Sequence, residues 1–345
     1  MNVPPVGPIP ARLMIVGEAP GAEEERLGEP FVGESGKELT RMLNEAGIQR
    51  GECFITNVCR IRPPGNDISC FIARSKKEIT SEHTELKGRW AKRPILEGWK
   101  LLQAEIAVVK PNVIIALGNT PLWALTGRQG ITRWRGSMLV LEGGLKCIPT
   151  IHPAAILREW SLRATAILDL KRAATYRDGR EYPKPPWSLL VQPTYLQVRL
   201  CLSKLLERAG LDGEVLELSF DIETAQGHID CIGIAWSKND AICIPFRTRG
   251  NSAGYWSVDE EASIVFTLYK LLTHPNVQVT GQNLLYDCQY VHRFWHFIPR
   301  VGFDTMLAHH VCFPGLPKKL DFQASMYSPY YIQWKPDRGH WKEGG

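Results

Sequence analysis

The sequence predicts an α/β protein of two domains: a parallel sheet covered by helices over residues 1–176, and a mixed sheet with helices over residues 195–345. A proline-rich linker at 177–194 joins them. Two patterns carry that expectation. In the first half, short continuous apolar runs alternate with amphipathic stretches, as strands buried on both faces of a parallel sheet require. In the second half, three closely spaced strand-like runs precede a series of helices, which is how an antiparallel meander followed by helices reads.

Taken in order, Arg12 to Gly17 reads as a strand. Lys37 to Ala46 follows as an amphipathic helix with Leu39, Met42, Leu43 and Ala46 on one face. Cys53 to Val58 is a second strand, and Leu96 to Val109 is a helix that ends before Pro111, since the residue preceding a proline is pushed out of helical geometry. Val113 to Leu117 is the most apolar strand of this half, closed by Gly118; Cys147 to Ile151 is the last, and Ala164 to Tyr176 is a terminal helix. Asp178 to Pro193 then collects Gly179, Pro183, Pro185, Pro186 and Pro193 without periodicity, the composition of a linker. Beyond it, Leu196 to Ala209 reads as a helix. Val215 to Ile222, Cys231 to Trp236 and Ala241 to Pro245 form the meander, and Glu260 to Leu272, Asn283 to Phe297 and Thr305 to Cys312 are helical.

Composition narrows the function class. With 44% hydrophobic and 22% charged residues over 345, the chain is neither disordered nor fibrous. Its apolar runs fall far short of the roughly 20 residues a membrane helix needs. The N-terminus has no basic region followed by an apolar core and cleavage site, so we expect a cytoplasmic protein with no membrane partner. Nine cysteines, odd in number and without a CxxC pair, indicate neither a disulfide framework nor a zinc finger. The net charge of +5 is uneven: residues 1–175 carry 24 basic and 18 acidic groups, the remainder 17 and 18. The first half is therefore the candidate surface for a polyanion, with Arg60, Arg62, Lys76 and Lys77 among the residues that concentrate the excess.

The strand ending at Gly17 runs into Glu18-Ala19-Pro20-Gly21, an acidic run, and Gly28-Glu29-Pro30-Phe31-Val32-Gly33. A polar loop at the C-terminal edge of a parallel strand is where open α/β sheets bind ligands. A phosphate-binding loop at Gly36-Lys37 is excluded, because Glu38 follows the lysine and Phe31 stands where the first glycine belongs. Together with Thr56-Asn57-Val58, Arg62-Pro63-Pro64-Gly65-Asn66 and Ile151-His152-Pro153-Ala154-Ala155-Ile156-Leu157-Arg158, these segments occur in the order seen in family 4 uracil-DNA glycosylases, which residues 10 to 175 resemble. The resemblance implies a parallel-sheet fold and a pocket for a flipped base. In it Glu18 and His152 are catalytic, Phe31 stacks on uracil, and Asn57 reads its polar edge. Ala19, Pro20, Gly21, Pro153 and Arg158 would complete the substrate contacts, with Ile156 and Leu157 as a wedge in the base stack.

Those residue types suit the chemistry. Breaking an N-glycosidic bond builds positive charge on the sugar and negative charge on the leaving base, to which a carboxylate and a hydrogen-bond donor are complementary. An aromatic stack returns roughly 1–3 kcal/mol of the cost of extruding the base.

The resemblance also implies a [4Fe–4S] cluster on four cysteines, and here the chain departs from the pattern. No cysteine precedes Cys53, and Ile61 and Gly98 stand where two of the ligands belong. Cys59 and Cys70 alone cannot supply the set. We expect no cluster, and no cofactor for this domain. The Lys- and Arg-rich segment Asp67 to Pro94 exceeds the usual spacing and reads as a DNA-gripping insertion or a solvated loop.

In the second half, Ser219-Phe220-Asp221-Ile222-Glu223-Thr224 ends a strand, so Asp221 and Glu223 share a face where two carboxylates can hold divalent metals. With Gly281-Gln282-Asn283-Leu284-Leu285-Tyr286-Asp287 and Phe303-Asp304-Thr305-Met306-Leu307-Ala308-His309, this resembles the 3′–5′ exonuclease domain of family A DNA polymerases, of ribonuclease H-like fold. The likeness implies Asp221, Glu223 and Asp287 as ligands of Mg²⁺ or Mn²⁺, with Asp304 as an outer support. The family's late-helix Tyr and Asp, four residues apart, are not found before Gly345, and no helix is expected over Trp334 to Lys342. The domain therefore reads as partial. The expected function is uracil excision from single- or double-stranded DNA, fused to an incomplete exonuclease domain, in a phage and beside a DNA polymerase partner. The competing reading is a non-catalytic DNA-binding or processivity module.

Overall fold

The computed structural model describes residues 2–182, 184–211, 215–248 and 254–333. They divide into two compact units: residues up to 182 together with 321–333, and residues 184–320. Residues 334–345, including the Trp334 to Lys342 stretch, lie outside the described residues.

In the first unit the order is β1 (Leu13–Gly17), α1 (Ala22–Leu27), α2 (Glu34–Glu45), β2 (Cys53–Asn57), β3 (His83–Leu86), β4 (Arg89–Lys92), α3 (Arg93–Val109), β5 (Val113–Leu117), α4 (Asn119–Thr126), α5 (Ile131–Trp134), β6 (Leu139–Val140), β7 (Lys146–Thr150), α6 (Pro153–Ile156) and α7 (Arg163–Tyr176). The main sheet runs β2-β1-β5-β7-β6, parallel except for β6. Its strands bury both faces: Leu13, Ile15, Val113, Ile115 and Leu117 join one core with α2 and α7, while Met14, Val16, Ile114 and Ala116 join another with α3 and α4. That double burial is why these strands are continuously apolar. Because β1 sends the chain to β2 on one side and abuts β5 on the other, the crevice beyond the C-terminal ends of β1 and β5 is the switch point of the sheet, where α/β folds open a ligand site.

The Asp67 to Pro94 segment is built of short turns and the β3-β4 antiparallel hairpin. The segment 321–333, expected within the second domain, packs on the first unit. The guanidinium of Arg172 donates to the Ser325 and Ser328 carbonyls at 3.0 and 2.9 Å, and Tyr182 stacks on Tyr330 at 4.5 Å. The segment brings carbonyl acceptors and tyrosine rings to a surface of arginine donors and aromatic rings, which holds it there.

The second unit comprises β8 (Ser188–Leu190), α8 (Tyr195–Ala209), β9 (Leu216–Ala225), β10 (His228–Ala235), β11 (Asp240–Pro245), α9 (Val258–Leu272), β12 (Val277–Gly281), α10 (Leu284–Trp295), β13 (Val301–Asp304) and α11 (Thr305–Cys312); α12 (Leu320–Tyr327) follows. The sheet order is β13-β12-β9-β10-β11-β8. β9, β10 and β11 form the antiparallel meander, and β12, β13 and β8 add in parallel. The result is the mixed sheet, covered by helices, that the sequence predicts for this half. Along β9, Leu216, Leu218, Phe220 and Ile222 enter the core while Glu217, Ser219, Asp221 and Glu223 are exposed, the alternation of a strand covered on one face. β8 falls inside the expected linker: three residues become a strand only by pairing with Asp240, Ala241 and Ile242.

Candidate active site

Four strand ends of the first unit supply the site. Glu18 follows β1, Asn57 ends β2, Gly118 to Thr120 follow β5, and His152 follows β7. Glu18, Ala19, Pro20, Gly21, Phe31 and His152 line one cleft of about 250 Å³, together with Glu24, Ser35, Pro63, Asn66 and Ala154. Phe31 and His152 face one another with ring centroids 5.8 Å apart.

The loop that carries Phe31 is held by Glu24, whose carboxylate accepts from the backbone N–H of Gly21 at 2.5 Å and of Phe31 at 2.6 Å. Phe31 itself adopts a left-handed backbone (φ 56°), a conformation that costs energy and recurs at functional sites. Two glycines make room for it. A Cβ on Gly36 would sit 1.7 Å from the Phe31 carbonyl oxygen, and one on Gly17 would sit 2.2 Å from Asn57 Oδ1 and 2.5 Å from the Phe31 ring. Asn57 is not among the residues that line the cleft; it is buried at the end of β2 beside Gly17, and its Oδ1 has no hydrogen-bond partner among the described residues. A buried acceptor left open calls for a donor from outside the protein.

His152 caps α6: its Nδ1 accepts from the Ala154 N–H at 3.2 Å, so the ring proton resides on Nε2. Burial, aided by the Arg158 charge, pushes its pKa down to about 4, and the imidazole is neutral at pH 7. Burial also raises the Glu18 carboxyl above the ordinary glutamate range, against a hydrogen bond from Thr120 that lowers it, with Asp67 raising it further.

Compared with known proteins, residues 4–174 match the family model described as Uracil DNA glycosylase superfamily. A type-4 uracil-DNA glycosylase of Thermotoga maritima is 36% identical over 174 residues, 49% of this chain and 80% of the relative. The chain belongs to the uracil-DNA glycosylase superfamily. By family, its first unit is a glycosylase of the hydrolase class. A DNA polymerase of Bacillus phage SP01 is 26% identical over 330 residues, which is 88% of this chain. Among solved structures, Escherichia coli RNase D, an exoribonuclease, matches 41% of this chain at 12% identity with a TM-score of 0.28. The chain spans about a third of the length of that polymerase, 33%, and the same share of RNase D.

Against the glycosylase pattern, two DNA contacts expected from sequence are corrected. Ile156 is fully buried in the core and is not free to wedge into a base stack. Arg60 is 5% exposed; its guanidinium pairs with Glu105, which also accepts from Thr56, so the charge is spent internally. Arg62 is half-buried and held by Asn66 and Glu25, whereas Lys76, Lys77, Leu157 and Arg158 are exposed and Pro153 is buried. The residues present do not fit an iron–sulfur cluster. A side chain at Gly98 would meet the Val58 carbonyl oxygen at 2.0 Å, and the buried Cys59 thiol donates to the Ile61 carbonyl and is pushed up to about 11. Cys70 lies exposed.

In the second unit, Asp287 Oδ1 accepts from the Ile222 N–H at 2.8 Å, and burial, together with the nearby Asp221 and Asp304 charges, pushes its pKa up to about 6. Asp304 caps two helix starts, accepting from Leu284 N–H at 2.8 Å and Met306 N–H at 2.9 Å. Among the described residues, no three His, Cys, Asp or Glu side chains come close enough to hold an ion. Asp221, Glu223 and Asp287 therefore do not form a preassembled site for Mg²⁺ or Mn²⁺. No described helix is long and apolar enough to cross a membrane.

Proposed function

We propose that the first unit excises uracil from DNA by hydrolysing the N-glycosidic bond, without a metal or cluster. The observation that carries the reading is the meeting of a carboxylate, an aromatic ring and a neutral imidazole on one cleft, beside an open amide acceptor. A flipped uracil would stack on Phe31 and give its N3–H to Asn57 Oδ1. His152, neutral with its proton on Nε2, would donate to the uracil carbonyl oxygen as negative charge develops there. Glu18, as a carboxylate, would stabilise the positive sugar and orient the attacking water. A donor that is already neutral gains strength as the base acquires charge and needs no protonation step, so His152 itself should set no limb of the pH profile in the usual histidine range near 6.5. The acidic limb belongs to Glu18. Leu157, Arg158, Lys76 and Lys77 remain as the exposed candidates for DNA contact.

We infer that the second unit is a polymerase-type 3′–5′ exonuclease domain that engages DNA but trims it weakly, since Asp221, Glu223 and Asp287 are not gathered around one ion position. The similarity of most of the chain to a phage DNA polymerase supports a replication setting, in a host cytoplasm, with a polymerase as partner.

One experiment addresses both units: the chain is incubated with a uracil-containing oligonucleotide in EDTA, and abasic sites are cleaved with alkali. Strand breaks at uracil are expected, undiminished by the chelator; their absence sinks the glycosylase reading and favours the binding-module one. With Mg²⁺ supplied, slow 3′-end shortening is expected, and efficient digestion would refute the incomplete metal site.

A further inference from the structure

We propose that Thr120 is a positioning residue for uracil excision, its hydroxyl holding one carboxylate oxygen of Glu18 so that the other is presented to the reacting water. This inference rests on the excision reading and concerns a residue outside the motif segments. Thr120 lies in the first turn of α4, and its Oγ1 donates to Glu18 Oε2 at 2.5 Å across 102 positions of sequence. The two meet because β1 and β5 are neighbours in the sheet and each residue follows the C-terminal end of its strand.

Thr120 is buried, 4% exposed, so its side chain is held in place by its surroundings. Thr126, at the end of the same helix, turns its hydroxyl to the Leu122 carbonyl one turn back; Thr120, in the first turn, has no carbonyl of its own helix one turn back and reaches across to the carboxylate. The same turn also underlies the opposite wall of the cleft: Gly118, with φ +92°, brings its backbone within contact of His152, and a Cβ there would sit 3.2 Å from the His152 Cβ. The start of α4 therefore touches both groups that the excision reading makes catalytic.

The groups around Glu18 are otherwise unfavourable to its charge. Asp67 acts on it from the loop after the Pro63–Asn66 turn, Cys59 is buried beside it, and Glu24 and the uncharged His152 share the cleft. Against these, the Thr120 hydroxyl favours the carboxylate. It fixes the side chain's rotamer and keeps it ionised at the pH where a base is needed.

The test is the single-turnover rate of uracil release against pH for the full chain and for T120V and T120S, with melting temperatures and oligonucleotide affinity measured alongside. Loss of the hydroxyl should move the acidic limb up by about one pH unit and slow the plateau roughly tenfold, given the usual strength of a hydrogen bond to a charged group. T120S, which keeps the hydroxyl and loses the methyl, should restore both, and affinity for the oligonucleotide should not change. If T120V does not fold, T120A takes its place. A rate that falls equally at every pH, a limb that stays where it was, or a T120S protein no better than T120V would overturn the assignment. Wild-type protein that releases no uracil would overturn the excision reading and this assignment together, whereas an active wild type unaffected by T120V overturns this assignment alone.

Discussion

Replacing Glu18 with glutamine should slow uracil release by roughly 10²–10⁴-fold, the usual worth of a positioned acid or base. Glutamine keeps the shape and still accepts from Thr120, but it cannot carry the charge that balances the developing sugar cation. Stability should move the other way. Because burial raises the Glu18 pKa, the ionised form is less favourable folded than unfolded at any pH above the ordinary glutamate value. The neutral amide removes that cost, so E18Q should melt at or above the wild-type temperature. A variant that loses activity and also melts lower would indicate a structural carboxylate instead. His152→Ala should lose rate by a similar factor while leaving the Phe31 wall in place. Retention of strand cleavage by the double variant would show that both roles are misassigned.

The second large effect concerns Arg135 and Asp169. Both are buried, 2% and 0% exposed. Asp169 accepts from Arg135 Nε at 2.9 Å and Nη2 at 2.5 Å, a forked pair, and from the Thr150 hydroxyl at 2.8 Å. Arg135 Nη1 also donates to Ser325 Oγ at 2.6 Å, which ties the segment 321–333 to the sheet. Removing one partner strands the other in a low-dielectric interior. Arg135→Met should therefore cost about 3–5 kcal/mol and lower the melting temperature by roughly 6–20 °C. The double variant R135M/D169L should recover much of the loss, because two apolar side chains leave no buried charge. A single variant that melts within a degree or two of wild type would mean that water reaches the pair.

What was legible in the sequence follows from how local each cause is. β1 and β5 are legible because strands buried on both faces are apolar throughout, β2 and β7 because each carries a shorter apolar run, and β9 because one-sided burial enforces alternation. Glu18, Phe31 and His152 were readable from segments at strand ends. Thr120 carried no local signal: its partner is in place only once β1 and β5 are known to be adjacent. Glu24 was hidden in a run of three glutamates, although an acid just after a loop and inside a first helical turn is a usual acceptor for backbone N–H groups. Arg60 misled for the same reason in reverse, since its acceptor, Glu105, arrives 45 residues later on α3. Ile156 faces the core because α6 turns it inward beside the exposed Leu157. The strand β8 and the docking of residues 321–333 are both defined by distant partners, Asp240 to Ile242 for one and Arg135, Arg172 and Tyr182 for the other.

Uracil excision by this unit requires that Glu18, Phe31, Asn57 and His152 address one bound base. Titration of the chain with free uracil, followed by NMR of selectively labelled histidine, phenylalanine and asparagine, reads this directly. The Phe31 ring, the Asn57 side-chain amide and the His152 Nε2–H should shift together with one shared dissociation constant. Shifts confined to other residues, or three sites responding with different constants, would contradict it.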